Sequence, residues 1–584
     1  MNIKAPIKLS LLSVGVLLFA CFTSCNSNTP SNNSSGTTDT TTNIGDDNND
    51  FVENQTWSST ISIVWNGQAT TVSGSADGVS ITDENGYVTI TSSAKHIEYA
   101  VSGSGTGQLK IYSDYKFKLS LNGLTLACSD GPAINNQGKK SCYVVLTGTN
   151  TLSDGNDYSS SDDDRKAALF SEGQIIVSGS GSLAITGNYK HALASDDYIR
   201  VREGSLALTA TASDGMHAND GIIINGGTIS ISAAADAIQC DTNSIVISGG
   251  NTYITKAGDK GISAYSNVEI SGGNISVVSV DKGIKSAAGN IIVSGGTIDV
   301  TTSGDDGKGI LAKVGECRIS DGTITVKTSG SDAKGIKSVG DMTISGGDIT
   351  VVCSGGSSAS KMPSQGPGGP GGNSGNNSSA PEGIESKAAM TITGGKIFAQ
   401  SSDDAINSGG DCTISGGYVC AYSTGNDGLD ANGNCYIKGG VVYAIGTTSP
   451  EVGIDANTEG GYKLYVQGGT IVAIGGLESG SSLTQSCYSA SSWSKSTWYA
   501  LYNGSDLALA FLTPASGGTT LIVSTPSTPS LKSGVTASNG TQIFNGMGYT
   551  SATISGGSAV SLSSYNGGNG GGGQGGGGGH GGRW

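Results

Sequence analysis

The sequence Val268-Glu-Ile-Ser-Gly-Gly-Asn-Ile-Ser-Val277 is one copy of a frame that returns along most of the chain. Its second glycine recurs every 23 residues at first and then with small insertions, at Gly181, Gly204, Gly227, Gly250, Gly273, Gly296, Gly322, Gly347, Gly395, Gly417, Gly440 and Gly469. A period of this length indicates a stacked repeat architecture. Apolar and polar residues alternate within each unit, so the units are β-strands.

Columns of apolar residues share this register. One lies five residues before the repeat glycine, from Ile176 to Leu464, and two more lie two and four residues after it. A third strand carries a further column, from Leu193 to Ile454. Identical columns stacked turn on turn require parallel pairing at about 4.8 Å per turn. The sequence therefore predicts an all-β protein, a parallel β-helix with three strands per turn, right-handed because parallel crossovers prefer that hand.

The extent of the repeat predicts the domain organisation. We expect an N-terminal cap over 55–105 and the β-helix over 106–480, with a flexible insertion at 354–380 that is rich in Gly, Pro and Ser. The period stops after Gly480, so residues 481–562 should form a small C-terminal β domain or cap. Residues 563–584 are nearly all glycine and should be disordered.

Residues 1–25 read as a lipoprotein signal peptide. Two lysines precede an apolar run over 9–22, which is too short to span a bilayer. The run that ends in Thr-Ser-Cys25 resembles a bacterial lipobox, so we expect lipidation at Cys25, with Cys21 as the alternative. Residues 26–54 should be a disordered tether. The expected location is the cell envelope, as a lipid-anchored outer-membrane or cell-surface lipoprotein whose membrane contact is the lipid alone.

The composition narrows the possible partners. The chain has 95 glycines but only 8 Phe and 5 Trp, so its core consists of small side chains. The formal net charge of -16 argues against nucleic acid and anionic membrane surfaces and favours cations. Cys317, Cys412 and Cys435 fall in the apolar column before the repeat glycine and should be free core thiols. We expect a monomer.

An acidic residue precedes the third strand in ten successive turns: Asp214, Asp236, Asp259, Asp281, Asp306, Asp332, Glu382, Asp404, Asp427 and Glu451. Like charges about 5 Å apart repel by roughly 1 kcal/mol even when solvated. A stack of carboxylates therefore needs compensation, and a bound cation would supply it. The alternative is that each carboxylate caps its own turn by accepting hydrogen bonds from nearby backbone N–H groups.

A second polar column strengthens the case for a cation in the C-terminal turns. Directly after the third-strand apolar residue come Glu385, Asn407, Asp430 and Asp455. Carboxylate and amide oxygens are the hard ligands that Ca²⁺ prefers. The chain has only four histidines, and no histidine cluster is expected to compete. The sequence therefore predicts calcium binding on this column together with the ten acidic residues.

Two further features suggest contacts with a glycan. Lysines occupy the lengthened turns of the middle repeats, at Lys260, Lys282, Lys308 and Lys334. They would line a cleft for an anionic polymer or, alternatively, balance the charge of the acidic column. Tyr418 and Tyr443 lie on outward positions near Phe398, where aromatic rings could stack on sugars. The alternative for these rings is that the C-terminal domain covers them.

The repeat units resemble a family of exported bacterial β-helix proteins described as carbohydrate-binding domain-containing. The resemblance rests on Gly-Ile-Ile-Ile-Asn-Gly-Gly-Thr-Ile-Ser-Ile-Ser with Ala-Asp-Ala-Ile-Gln, and on Thr-Ile-Ser-Gly-Gly-Tyr-Val with Asn-Asp-Gly-Leu-Asp, over roughly 55–560. It implies a pectate-lyase-like fold, association with calcium, and binding of plant polysaccharides, acidic ones such as polygalacturonate among them. The Asp-Gly-Ile turn of the family matches at Asp427, Asp214 and Glu382, and the turns with inserted lysines depart from it.

We therefore expect a surface lipoprotein that binds acidic polysaccharide without catalysis on a calcium-bearing face. The first alternative is a calcium-dependent polysaccharide lyase, in which Ca²⁺ acidifies the proton beside a uronate carboxylate and a lysine acts as base. Against it, the lysines repeat turn by turn, whereas a catalytic base should be singular. The second alternative is an adhesin or structural surface protein without a small ligand.

Overall fold

The structure is a computed structural model that describes residues 47–358 and 380–568. The predicted signal peptide, Cys25 and Cys21 lie outside these residues, as do most of the predicted tether, insertion and glycine-rich tail. Within the described residues no helix is long and apolar enough to cross a membrane. The helices there are short: one α-helix at Asp47–Asp50 and 3₁₀ turns at Val52–Asn54 and Phe544–Gly546.

The first sheet of the solenoid contains the strands that precede each repeat glycine. They pair in parallel and in register, Ile199 beside Ile222 beside Ile245, for example. The strands are Cys142–Thr147, Ile175–Ser178, Tyr198–Val201, Gly221–Ile224, Ile245–Ile247, Val268–Ile270, Met342–Ile344, Met390–Ile392, Cys412–Ile414, Cys435–Ile437, Leu464–Val466 and Ser482–Leu483.

The second sheet follows the repeat glycine and is also parallel. Its strands are Thr149–Ser153, Ser182–Gly187, Ser205–Ala210, Thr228–Ala233, Asn251–Ala257, Asn274–Ser279, Asp348–Cys353, Lys396–Ser401, Tyr418–Ser423, Val441–Ile445 and Thr470–Ile474. Five longer strands run across the first and second sheets without a break: Ser59–Gly67, Ile97–Thr106, Phe117–Ala127, Ile291–Thr302 and Cys317–Thr328. The two sheets are therefore continuous through these strands.

The third sheet has 15 strands, and it carries the acidic and lysine columns. Its strands are Val79–Glu84, Tyr87–Ser92, Gln108–Ser113, Ile134–Asn136, Ala167–Ser171, His191–Ser195, Met216–Ala218, Ile238–Cys240, Ile262–Ala264, Lys282–Ser286, Lys308–Ala312, Lys334–Ser338, Ile384–Ser386, Ile406–Ser408 and Leu429–Ala431. The prediction of an all-β parallel solenoid with three strands per turn is confirmed.

The repeat glycine makes the bend between the first and second sheets possible. At Gly417 the backbone φ is +81°, a left-handed conformation that glycine adopts without steric cost. A Cβ added there would lie 2.8 Å from the backbone of Gly394 in the preceding turn. The turns are therefore stacked too closely at this bend for any side chain.

The core is a continuous column of small apolar side chains inside the solenoid. Isoleucine, valine and leucine from the three sheets form one buried cluster that extends from Ile61 to Ile522. Cys317, Cys412 and Cys435 are buried within it as free thiols, as the sequence predicts. Each turn is stabilised by burial of apolar surface against its two neighbours.

Parallel pairing begins earlier than the sequence suggests. Ser59–Gly67 already pairs in parallel with Ile97–Thr106, inside the region expected to be a cap. Two antiparallel hairpins close this end, one from Ser59–Gly67 to Ala69–Ser73 and one from Val79–Glu84 to Tyr87–Ser92. The short alternating strands of this region lack the repeat glycine frame, which is why the period does not reveal them.

The segment before the first strand lies across the outside of the first sheet. Asp50 accepts a hydrogen bond from Tyr198 Oη at 2.6 Å and forms an ion pair with Arg200 at 2.8 Å. Tyr143 Oη donates to the backbone oxygen of Asn49, and the Arg202 guanidinium lies 3.2 Å from the centroid of the Phe51 ring. This N-terminal clamp holds the segment on strands that are distant in sequence.

The C-terminal region closes the other end. Leu521–Ser524 pairs antiparallel with Thr470–Ile474, and Cys487–Ala490 joins it to Leu562–Tyr565. Beyond them stands the C-terminal sheet, whose six antiparallel strands are Trp498–Asn503, Asp506–Leu512, Pro529–Ser538, Thr541–Ile543, Gly548–Thr550 and Thr553–Val560. It packs on the outer surface of the second sheet around Tyr443 and Val472.

Candidate cation and glycan site

The register of the third sheet shows which side chains stack on one another where its strands begin. From the turn of Leu193 onward, we define the edge column as the residue two positions before each inward apolar residue of this sheet. It contains His191, Asp214, Asp236, Lys260, Lys282, Lys308, Lys334, Glu382, Asp404 and Asp427. The expected column of ten acidic residues is therefore wrong in its middle part, where lysines take the stacked position.

The displaced acidic residues lie in the turns before the lysines. Asp259 and Asp281 directly precede Lys260 and Lys282, and Asp306 and Asp332 precede their lysines by two residues. Asp306 and Asp332 adopt positive φ of 56° and 55°, so the extra residues of these turns are absorbed in left-handed conformations. Asp332 binds Ser358 instead of pointing along the column. Glu451 is likewise outside the column, because Val452 takes the stacked position.

The four lysines of the edge column are paired with carboxylates. Lys260 Nζ lies 3.4 Å from Asp236 and also contacts Asp259, and Lys282 contacts Asp281. Lys308 Nζ lies 2.7 Å from Asp306, and Lys334 contacts Glu382. The side chains of Lys308 and Lys334 are only 8% and 3% exposed, so the prediction that they contact a glycan is wrong. The paired carboxylates balance the charge of all four lysines, and the glycan contact of the more exposed Lys260 and Lys282 stays a prediction.

Glu385 does not fit a metal site. Its side chain is fully buried, and its carboxylate lies 3.2 Å from Lys334 Nζ and 2.8 Å from Lys337 Nζ, with Lys387 also in contact. Burial alone would raise its pKa, but Lys334 and Lys337 outweigh burial and lower the pKa to about 2. A carboxylate held among three ammonium groups cannot accept a dication, so this predicted ligand is a structural anion.

The carboxylates of the last turns are different, because among the described residues no lysine or arginine is ion-paired with them. We define the acid cluster as Asp403, Asp404, Asn407, Asp427, Asp430, Glu451, Asp455 and Glu478. The Asn407 amide donates to Asp404 Oδ2 at 2.9 Å and to Asp430 Oδ2 at 3.0 Å. Carboxylate oxygens of Glu382, Asp403 and Asp404 also approach within 4.8 Å of one another. The turns thus bring seven carboxyl groups to one edge.

Burial and mutual repulsion raise the pKa values of four aspartates in the acid cluster. Burial is the main cause in each case, and the neighbouring carboxylates add to it. The pKa is raised to about 6 for Asp430, about 7 for Asp427 and about 9 for Asp455, and it is raised well above the ordinary value for Asp404. Charge within this cluster is unfavourable unless a cation compensates it.

The donor chemistry of the acid cluster fits Ca²⁺. All of its side-chain donors are carboxylate or amide oxygens, and Ca²⁺ takes six to eight oxygens at roughly 2.3–2.6 Å. Asp404 and Asp427 stack in the edge column, and Asp430 and Asp455 stack beside them. The middle turns do not fit, because ammonium groups already occupy the equivalent positions. The structure brings together the predicted calcium ligands that belong to the acid cluster. Asp214, another predicted ligand, lies apart from them beside two histidines.

The aromatic side chains expected to stack on sugars are covered. Tyr443 is fully buried, its hydroxyl donates to the Leu512 backbone oxygen at 2.8 Å, and its ring contacts Phe511 and Phe544 of the C-terminal region. Tyr418 packs at the margin of the same cluster. The prediction that Tyr443 binds carbohydrate is therefore wrong. No repeat pattern connects residues 481–562 to the second sheet, so the sequence offers this covering only as the alternative to sugar stacking.

The sequence reasoning also missed several members of the site. Asp403 belongs to the acid cluster but lies one residue before the expected column. Glu478 also belongs to it but lies one turn beyond the last expected residue. His191 and His217 form a stacked pair with Asp214, with ring centroids 4.2 Å apart. The signal was present, because His191 precedes Asp214 by one period of 23 residues.

A family model described as carbohydrate-binding domain-containing protein matches residues 84–307 and 269–428, which together cover more than half of the chain. The protein belongs to this family. Among solved structures, the gadolinium derivative of a polysaccharide lyase-like protein from C. thermocellum is similar, with 19% identity over 51% of this chain and 95% of that chain. Its TM-score of 0.27 is too low to relate functions or individual residues. No match was found among curated proteins.

Proposed function

We propose that this protein binds acidic polysaccharide without catalysis, through Ca²⁺ held by the acid cluster. The observation that carries the proposal is a group of partly or fully buried carboxylates with raised pKa and no paired lysine among the described residues. Membership of a carbohydrate-binding family supports the choice of a glycan as partner. The proposed location remains the cell envelope, with a lipid on Cys25.

Calcium would join two sets of carboxylates that otherwise repel. The acid cluster supplies oxygens from Asp404, Asp427, Asp430 and Asp455, and a uronate polymer carries one carboxylate on every sugar. An ion that accepts six to eight oxygens can take ligands from both sides. Lys285 and Lys313, which lie on the lysine-bearing turns, add positive charge along the same sheet. A neutral glycan has no carboxylates that could bind the calcium ion or the lysines.

Binding of polygalacturonate tests the proposal directly. We expect retardation of the full chain in a gel that contains polygalacturonate and Ca²⁺, and loss of retardation in EDTA or in a gel with a neutral glucan. The triple variant Asp404→Asn, Asp427→Asn, Asp430→Asn should lose at least about tenfold in affinity, a cost of about 1.4 kcal/mol. Asp506→Asn, in an exposed hairpin, is the matched control and should bind normally. Unchanged binding by the triple variant would overturn the proposal.

A calcium-dependent lyase is the second candidate, because two lysines have a lowered pKa, which a catalytic base needs. Burial lowers the pKa of Lys308 and of Lys285, and the neighbouring lysines lower both further. Lys308 is nevertheless paired with Asp306 and almost wholly buried. Incubation with polygalacturonate and Ca²⁺ distinguishes the two functions. Ultraviolet absorbance of an unsaturated product would establish the lyase, and its absence with retained binding would favour the non-catalytic function.

A further inference from the structure

We propose that His191, Asp214 and His217 bind a Zn²⁺ ion at the end of the edge column opposite to the acid cluster. Three donor atoms converge there from two consecutive turns. Asp214 Oδ2 lies 3.2 Å from His191 Nδ1 and 2.9 Å from His217 Nδ1. One ligand atom from each residue lies within 4.8 Å of the other two. This site does not depend on the calcium proposal.

The separations between the donor atoms match the size of a zinc ion. Zn²⁺ binds nitrogen and oxygen at about 2.0–2.1 Å in tetrahedral geometry, which places ligand atoms about 3.3 Å from one another. The distances from Asp214 Oδ2 to the two imidazole nitrogens are close to this value. Two imidazoles and one carboxylate also suit zinc better than calcium, which prefers oxygen ligands throughout.

A second carboxylate supports His217 in the manner typical of zinc ligands. The other ring nitrogen of His217, Nε2, lies 3.2 Å from Asp241 Oδ2. Histidine ligands commonly donate this second N–H to a carboxylate, which fixes the ring orientation and leaves the first nitrogen free for the metal. With Nε2–H directed at Asp241, the Nδ1 lone pair of His217 faces Asp214, where an ion would separate the two acceptors.

His191 is the buried member of the three proposed ligands. Its side chain is 2% exposed, and among the described residues Nε2 has no hydrogen-bond partner. The backbone N–H of Asp214 donates to His191 Nδ1 only at 3.3 Å, so that nitrogen carries a lone pair beside the Asp214 carboxylate. A buried neutral imidazole that meets a carboxylate through its lone pair is stabilised by a cation between them.

The position of the site gives an ion access from solvent. His217 is 12% exposed and Asp241 43% exposed, whereas His191 lies beneath them. The two rings stack with centroids 4.2 Å apart and planes inclined at 22°. Near-parallel rings direct their Nδ1 lone pairs side by side, so zinc binding requires the more exposed His217 ring to rotate until its Nδ1 converges with that of His191 on the ion. The ion would join consecutive turns of the third sheet.

Isothermal titration of the full chain with Zn²⁺, in buffer that saturates the acid cluster with Ca²⁺, tests the proposal. We expect one zinc ion per chain and a thermal transition that rises on zinc addition. His217→Gln should lose at least about 100-fold in zinc affinity, and Asp241→Asn should lose about tenfold, as for other supporting carboxylates. His96→Gln, which removes a histidine outside the site, is the matched control and should bind zinc normally.

Thermal melting in EDTA shows whether each variant is folded before zinc is added. If wild-type protein binds no zinc under these conditions, the proposal is wrong, and the histidines are a hydrogen-bonded pair. It is equally overturned if a folded His191→Gln, His217→Gln double variant retains the full affinity and stoichiometry. Either result leaves the calcium proposal unaffected, because the acid cluster contains none of these residues.

Discussion

The chemistry of the edge column changes from turn to turn, because different residue types occupy the same position. Where Asp404 and Asp427 stand, carboxylates crowd one another, and where Lys308 and Lys334 stand, each ammonium group has a carboxylate beside it. Glu385 marks the boundary, because it faces lysines on one side and Asn407 on the other. The proposed calcium site is therefore confined to the turns beyond this residue.

Replacement of Glu385 by Gln should destabilise the protein by about 3–5 kcal/mol, because it leaves ammonium groups in a buried setting with one anion fewer. Chemical denaturation followed by circular dichroism measures the change. The exposed pair between Asp348 and Lys396, 3.7 Å apart, provides the control, and Asp348→Asn should cost less than about 1 kcal/mol. Equal effects of the two substitutions would show that the lysines around Glu385 do not need it.

At the residue scale the sequence predicts which positions are polar but not which of two neighbours occupies the column. The spacing between acid and apolar residue grows in the middle turns, yet either Asp306 or Lys308 could have taken the stacked position. The choice depends on backbone conformation, since Asp306 adopts positive φ. Pairing between successive turns, as for His191 with Asp214, follows from the period once histidine is considered as a member of the column.

Each turn depends on one tightly packed bend. Gly417→Ala should cost more than the roughly 1–2 kcal/mol of a left-handed alanine, because the added Cβ also meets the backbone of Gly394 at 2.8 Å. Gly461 has a similar φ of +87° with no atom within 4 Å of an added Cβ, so Gly461→Ala isolates the conformational cost. The two unfolding free energies, compared directly, measure the packing contribution. A smaller loss at Gly417 would contradict the close stacking.

The acid cluster should make the metal-free protein less stable as pH rises. A carboxyl group whose pKa is raised on folding binds protons more tightly in the folded state, so stability falls as pH rises from its ordinary pKa to the raised one. For Asp430 and Asp427 this range extends from about pH 4 to about 6 and 7, and Asp455 extends it to about 9.

Melting temperatures in EDTA between pH 5 and pH 9 check this expectation, and saturating Ca²⁺ should flatten the decline. The triple Asn variant of Asp404, Asp427 and Asp430 is the control, because it removes three of the titrating groups and should show a shallower profile without metal. Stability that rises with pH in EDTA would contradict the crowding of carboxylates in these turns.

The whole molecule combines a regular solenoid with two irregular ends, and the sequence predicts them unequally. The glycine period alone predicts the parallel stack and the buried columns, since each turn repeats the same local pattern. The ends follow no period: antiparallel hairpins over Ser59–Ser92 and the C-terminal sheet are specified by packing between distant segments. For this reason the covering of Tyr443 could be given only as an alternative, whereas the presence of a C-terminal β region could be predicted.

Attachment of the C-terminal sheet should depend on Phe511, which is fully buried between Tyr443 and Tyr499. Phe511→Ala should cost about 3–5 kcal/mol and make the region after Gly480 more sensitive to limited proteolysis. Tyr253→Ala removes an aromatic ring that is 42% exposed and should change stability by less than about 0.5 kcal/mol. Equal protection of the C-terminal region in both variants would contradict the packing described.

The N-terminal clamp has a mechanical consequence. If the chain is pulled from its N-terminal side, the load first reaches the contacts of Asp50 with Tyr198 and Arg200. Those residues belong to turns well inside the solenoid, so the force is transferred past the outermost strand. The clamp should therefore bear tension before the first turns do and protect them from unravelling.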